Sequence, residues 1–334
     1  MNEAQWLPFM YLIILGLAVM IYAILDGYDL GVGILLPMGK QSELERDTMI
    51  ASIGPFWDAN ETWLVLAVGV LLIAFPTAHS IIFKALYLPV ALMLAGLILR
   101  GVAFDFRAKV LNTHKSTWDW LFKIGSIIAS MSQGYMLGMY VMGFEQTVEA
   151  LIFALLSAAG VAAAYAFIGG AWLVMKTEGS LQQQSAQWTR YSGWLAAGGI
   201  GLVSIVHPMI NSRIFDKWFS LPEIFLLIPI PLVCYGLFFA ADRYLTKMSE
   251  LQGRICWLPF ACACSIFFLC FQALAYSFFP YIVPDQLTIW EAASATESLK
   301  FLAYGIVFVV PTILIYTVFS YRVFWGKATQ LQYY

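Results

Sequence analysis

Nine long apolar stretches, separated by short polar breaks, leave this chain little choice of solvent. They cover approximately 7–30, 52–75, 80–104, 120–143, 148–175, 191–211, 221–242, 255–279 and 299–324. About 20 apolar residues in a helix cross a ~30 Å hydrocarbon core, where every backbone N–H and C=O must be satisfied within the protein. The expected fold class is therefore an all-α integral membrane protein, a single transmembrane domain over 1–334 with about nine spans. Only 11% of residues are charged, and the 12 Trp and 17 Tyr recur near the ends of the apolar runs, as in interfacial belts. The start, MNEAQWLPF, lacks a basic region and no small-residue cleavage site follows the first run, so the first helix is expected to remain in the mature protein.

Basic residues set an expected orientation. Nine spans put Lys40, Arg46, Arg100, Arg107, Lys109, Lys115, Lys123, Lys176, Arg190, Arg243, Lys247, Arg254, Arg322 and Lys327 on one side. Only Lys84, Arg213, Lys217 and Lys300 fall on the other. Lys and Arg concentrate in cytoplasmic loops, so the N-terminus is expected outside and the C-terminus in the cytoplasm. A net charge of −2 gives no reason to expect nucleic acid as a partner.

Against this background the acids stand out. Asp26 and Asp29 close the first run in DGYDLGVG, and Asp58 and Glu61 lie just inside the second in WDANETW. Arg100 and Asp105 follow in RGVAFDFR at the end of the third. A carboxylate at bilayer depth costs roughly 2.5–3.5 kcal/mol on insertion scales, so such residues usually face a bundle interior and serve an ion or substrate path. Spacings of three residues put Asp26 with Asp29, and Asp58 with Glu61, on shared helix faces. On the expected boundaries Asp58 lies about seven residues into its helix, ~10 Å at 1.5 Å per residue. All six charges then fall in the cytoplasmic half, within mutual reach if the first three helices pack together. An Arg keeps one carboxylate ionised while desolvation favours the protonated form of an unpaired one, which is the chemistry of a proton relay. The competing reading is solvated helix ends and an Asp–Arg pair that only fixes packing.

Ligands for a prosthetic group are scarce. A haem needs an axial His, Met or Cys facing inward. The three histidines, His79, His114 and His207, fall in loops or at helix ends, and the 13 methionines are scattered as core filler would be. The five cysteines, Cys234, Cys256, Cys262, Cys264 and Cys270, form no CxxC and read as small apolar packing. No GxGxxG, Walker loop, HExxH or zinc-spaced set is present. The chain by itself is expected to bind no metal.

At the acids the chain becomes recognisable. DGYDLGVG, WDANETWLV and RGVAFDFR, in this order and spacing, resemble the three N-terminal signatures of subunit II of cytochrome bd-type quinol oxidases. Weaker matches, GGAWLVMKTEG, FPYIVP, LTIWEAAS and the final VPTILIYTVFSYRVFWG, extend the resemblance over essentially the whole chain. The length is similar to that of the cyanide-insensitive branch. The resemblance implies two four-helix bundles plus one peripheral helix, in the bacterial cytoplasmic (inner) membrane. It implies a heterodimer with a haem-bearing subunit I that holds two b-type haems and haem d and oxidises quinol, and it leaves room for a small accessory single-helix subunit. It also implies that this subunit supplies part of a proton path from the cytoplasm. Carried over onto this chain, Asp58 becomes the leading proton carrier, with Asp29, Arg100 and Asp105 around it and Asp26 and Glu61 in the same path. Ala59 departs from the WDGNE pattern of many members, which puts close backbone approach there in doubt. The rival from another class is a proton-coupled secondary transporter, although such folds place their acids around interrupted helices at the midplane.

Overall fold

Helix α1, Glu3–Leu35, continues through the whole of DGYDLGVG and stops only before Pro37. The computed structural model describes residues 3–39, 43–110, 112–210, 212–248 and 254–328; Lys40 of the basic count and the last six residues lie outside them. Glycine-rich sequence stays helical here because close packing uses it. A Cβ on Gly31 would run into the backbone of Tyr165 and Gly169, so α1 and the helix that carries those residues touch main chain to main chain. Asp26 and Asp29 consequently sit inside a helix rather than at its end, a correction to the boundary expected at residue 30.

The second expected span is split. A short helix α2, Glu43–Ile53, ends in a turn through Gly54, Pro55 and Phe56, and α3, Trp57–Ala74, begins afterwards. Pro55 has no N–H to donate and restricts the residue before it, so one helix cannot run through this point. Asp58 therefore lies in the first turn of α3, not two turns inside a helix. Helix α4, Pro76–Lys109, opens on a proline and carries a non-helical Leu86 just before Pro89, where a missing donor and ring bulk kink the helix. It reaches past RGVAFDFR, so Asp105 is within the helix as well.

Helices α5, Asn112–Val141, and α6, Val148–Lys176, follow, the second capped by Thr147, which accepts from the Ala150 N–H at 3.2 Å. Then come α7, Gly179–Ile210, and the short α8, Ser212–Phe219, and α9, Ile224–Leu227. Helix α7 starts some twelve residues earlier than expected, so most of the presumed 176–190 loop is helical. The chain continues with α10, Pro229–Thr246, and α11, Leu258–Phe278. A hairpin of β1, Tyr281–Val283, and β2, Leu287–Thr288, leads into α12, Ile289–Ala292, and α13, Thr296–Val323.

Packing closes two rings of four. Helices α1, α3, α4 and α5 each contact two neighbours around the first, and α6, α7, α10 and α11 do so around the second. The rings join where α6 lies against α1 and α5. Helix α13 rests outside on α3 and α1, and its apolar central stretch buries nothing. Two four-helix bundles and a peripheral helix are thus the observed architecture. Among the described residues eight helices are long and apolar enough to cross a membrane. Helix α5 fills the remaining expected position and is more polar, with Ser126, Ser130 and Gln133 on buried or half-buried faces.

Candidate functional site

Four helices of the first bundle, with help from α6 and α13, bring polar groups to its interior. Arg100 on α4 is 1% exposed, and its Nη2 donates to Asp26 Oδ1 of α1 at 2.8 Å and to Glu61 Oε1 of α3. Asp26 is fully buried, whereas Glu61 keeps 28% of its side chain open to the surface of the chain. One turn along α1, the fully buried Asp29 accepts from Asn60 Nδ2 at 2.8 Å. Two carboxylates thus share a single guanidinium, and a third lies one turn away on α1. Asp26 Oδ2, Asp29 Oδ1, and Arg100 Nε and Nη1 are buried without a hydrogen-bond partner among the described residues. Buried polar atoms left open in this way are exceptional in folded proteins.

Neutral polar residues extend the cluster in two directions. Beside Asp26, the Tyr22 hydroxyl accepts from Gln133 Nε2 at 2.8 Å, and Gln133 Oε1 accepts from the Tyr165 hydroxyl at 2.6 Å. Beside Asp29, Asn60 meets the hydroxyls of Tyr28 and Tyr321, the latter arriving from the peripheral helix. None of these neutral residues was singled out from the sequence. Asn60 and Tyr28 stand inside the quoted signatures, but neutral amides and phenols also serve as hydrogen-bonding residues between helices and at membrane interfaces, so their type alone does not flag them.

The remaining candidates are placed differently. Asp58 and Asp105 are exposed on this chain and make no ion pair among the described residues. Asp58, Thr62 and Val65 form one outward stripe on α3, and Ile98, Val102 and Asp105 a matching one on α4. The expectation that Arg100 and Asp105 surround Asp58 is therefore corrected: Arg100 points inward to Asp26 and Glu61, and both aspartates point outward. Their positions on opposite shoulders of their helices explain it, since residues 100 and 105 are about 140° apart at 3.6 residues per turn.

Two turns beyond Arg100, Arg107 anchors a second cluster at the α2 end of the bundle. It pairs with the buried Asp119 of α5 and with Asp47 of α2 at 2.7 Å, and Arg46 reaches Asp119 at 2.9 Å. Lys115 donates to Glu43 at 2.7 Å, and that hydrogen bond holds the Glu43 carboxyl below its ordinary range. Phe104, whose ring lies tilted against those of Trp57 and Phe122, separates the two clusters along α4. This second cluster ties α2 across the ends of α4 and α5.

Among the described residues no three His, Cys, Asp or Glu side chains converge on a metal position. His79 stacks on Phe83 at 4.3 Å, and His207, buried rather than interfacial as expected, lies against Phe278 at 5.4 Å. Helix α1 meets α6 through Gly31, and α4 meets α5 through Gly96 and Gly125, at main-chain distance.

Known proteins place this arrangement. The family model for cytochrome bd terminal oxidase subunit II matches residues 7–324. The chain is similar to the cytochrome bd-I ubiquinol oxidase subunit 2 of Escherichia coli K12, 26% identical over 99% of this chain and 97% of the relative. It is also similar to the cytochrome bd ubiquinol oxidase subunit 2 of Bacillus subtilis, 27% identical over 90% of each chain. In fold it matches a chain of the bd oxidase from Geobacillus thermodenitrificans with a TM-score of 0.76 at 17% identity, covering 97% of this chain and 100% of that one. Buried acids on one guanidinium, two closed bundles and a peripheral helix are therefore the interior of an oxidase subunit and not of a transporter, and the chain belongs to the family of cytochrome bd terminal oxidase subunit II.

Proposed function

We propose that this subunit supports a haem-bearing subunit I and supplies part of the path by which protons from the cytoplasm reach its chemistry. The partner would hold two b-type haems and haem d, oxidise quinol and reduce O₂ to water. When bound there, the haems supply the electron transfer and oxygen chemistry. This chain supplies charge placement. The observation that carries the reading is a pair of carboxylates on the Arg100 guanidinium, the buried Asp26 and the surface-open Glu61, with a third buried carboxylate, Asp29, one turn along α1. An array with more acids than bases, buried in apolar surroundings, exchanges protons more readily than a closed ion pair.

Asp58 and Asp105 support the same reading from outside. Each acid stands on an outward stripe with apolar neighbours, Val65 at 71% exposed and Ile98 at 66%. Facing lipid, such a carboxylate would cost roughly 2.5–3.5 kcal/mol, which a partner subunit covering α3 and α4 would relieve. Asp58 would then pass protons between that interface and Glu61, and Arg100 would hold Asp26 and Glu61 in register while Asp29 accepts or releases a proton beside them. The subunit would sit in the bacterial cytoplasmic membrane with its N-terminus outside and its α2 end, the site of the Arg107 cluster, toward the cytoplasm. A heterodimer is the minimal assembly, and a small single-helix accessory subunit would be compatible with it.

An optical spectrum of the purified native assembly tests the assignment of cofactors. Reduced b- and d-type bands are expected in the complex, none in this chain expressed alone, and no change in the complex on His79→Ala, His114→Ala or His207→Ala. Loss of one haem signal from an otherwise intact variant complex would move a haem ligand into this chain.

A further inference from the structure

Asn60, Tyr28 and Tyr321 form a closed ring of hydrogen bonds whose direction follows from the donors present. The Tyr321 hydroxyl donates to Asn60 Oδ1 at 3.3 Å. Its single proton is thereby used, so in the 2.5 Å contact between the two phenols Tyr28 is the donor. Asn60 Nδ2 closes the ring by donating to the Tyr28 hydroxyl at 3.0 Å, and its other proton goes to Asp29 Oδ2 at 2.8 Å, with the Leu25 carbonyl a more distant acceptor at 3.3 Å. Every donor in the ring is spent, and the exit points at a carboxylate. Tyr28, Asn60 and Asp29 are all fully buried, so no bulk water competes for these bonds.

The same atoms can close the ring in the other sense, in which one of the two Asn60 amide protons faces a hydroxyl and the other gives up its carboxylate acceptor. If Asp29 takes up a proton, its new O–H needs an acceptor, and the Asn60 amide provides one by turning over. Its Nδ2 then donates to Tyr321, Tyr321 donates to Tyr28, and Tyr28 donates back to the amide oxygen that faces Asp29. No proton leaves the ring. One proton joins the carboxylate, two hydroxyls rotate and one amide flips. We propose that the Tyr28–Tyr321–Asn60 ring is a two-way hydrogen-bond switch that positions Asp29 in both its protonation states, with the peripheral helix α13 contributing the third member. This rests on the reading that the buried carboxylates carry protons. Asn60 and the two tyrosines are positioning residues, because they act on the reaction only through Asp29.

The geometry around Tyr321 suits such a role. Its ring stacks on Phe56 at 4.5 Å, which fixes the hydroxyl while leaving it free to rotate. The end of α13 is latched in place beyond it. Lys176 Nζ donates to the Phe324 carbonyl at 2.9 Å, Lys327 Nζ to the Thr177 carbonyl at 2.9 Å, and the Ala328 N–H to the Lys176 carbonyl at 2.7 Å. A helix that buries almost nothing along its length is thus held firmly at the one turn that reaches Asn60.

The test uses the assembled oxidase carrying Tyr321→Phe, which keeps the stack on Phe56 and removes only the hydroxyl. Haem content is expected to be unchanged. A hydrogen bond made directly to an ionisable group is worth about one pH unit of titration, so a bond lost one residue away should move the pH profile of oxygen consumption by up to about that amount. Infrared difference spectra should show a carboxyl band that disappears in Asp29→Asn and shifts in Tyr321→Phe. In an Asp29→Asn background, adding Tyr321→Phe should change nothing further. An assembled Tyr321→Phe enzyme with a wild-type pH profile and an unmoved Asp29 band overturns the switch. Wild-type turnover in Asp29→Asn would instead remove the proton role from Asp29, while a band shifted by Tyr321→Phe would still support the ring. If Tyr321→Phe does not assemble, Tyr28→Phe opens the same ring and must shift the band. Failure of both variants to assemble assigns these residues to packing and overturns the proposal.

Discussion

Asp58 and Arg100 differ in what their removal leaves behind. Asp58 is exposed on this chain and has no ion-pair partner among the described residues, so Asp58→Asn strands no buried charge. The variant complex should assemble with full haem content and consume oxygen substantially more slowly, and Asp58→Glu should recover more of the rate than Asn does. Arg100→Met leaves Asp26 and Glu61 uncompensated, at roughly 3–5 kcal/mol, and the complex should be lost or unstable. Haem content and oxygen uptake of the purified variants separate the two. Equal turnover in wild type and a well-assembled Asp58→Asn enzyme would end the relay role of that residue. The charged members of the site, Asp26, Asp29, Glu61 and Arg100, were legible in the sequence because charge in an apolar run is costly and therefore conspicuous. Tyr22, Tyr28, Asn60, Gln133 and Tyr321 were not, because the same residue types also serve at membrane interfaces and in ordinary cores.

At the scale of elements, the local reading failed where glycine and proline act through their neighbours. The first apolar run was expected to end near residue 30, within the glycine-rich DGYDLGVG, yet α1 runs on to Leu35 because α5 and α6 lie close enough to need bare backbone. Pro55 did the opposite, ending a helix inside an apolar run. Gly31→Ala should therefore force α1 and α6 apart, with a cost of about 1–3 kcal/mol from overpacking. Gly236→Ala in α10, where an added methyl meets nothing, should be neutral or stabilise by up to about 1 kcal/mol. Thermal denaturation of the two purified complexes makes the comparison, and a Gly31→Ala complex as stable as wild type would show that the seam can relax.

Across the whole molecule, nine long helices among the described residues run between the hairpin end, where Glu3 lies, and the α2 end, where α13 finishes. The fourteen-to-four distribution of basic residues underlies the proposal that this second end faces the cytoplasm. Reporter fusions after Tyr334 should be active only inside the cell. Activity outside would invert the orientation and, with it, the side from which the Arg100 cluster draws protons. Among the described residues the second bundle has no comparable buried acids, so the proposed proton path rests on the first bundle and on the turn of α13 that touches it.

What the chain declares by itself follows from solvent. Apolar runs of spanning length demand helices in lipid, signature residues in order declare the family, and the expense of a charge in hydrocarbon names the acids and the arginine. Tertiary structure decided which of those charges meet. Sequence spacing orders residues along one helix but is silent about how each helix is rotated against the next, and that rotation sends Arg100 inward to Asp26 and Glu61 while Asp58 and Asp105 face out. It also brings Tyr321, 261 residues from Asn60 along the chain, within hydrogen-bonding distance of it. A contact of that kind depends on where a peripheral helix docks, and only the packed bundle determines that.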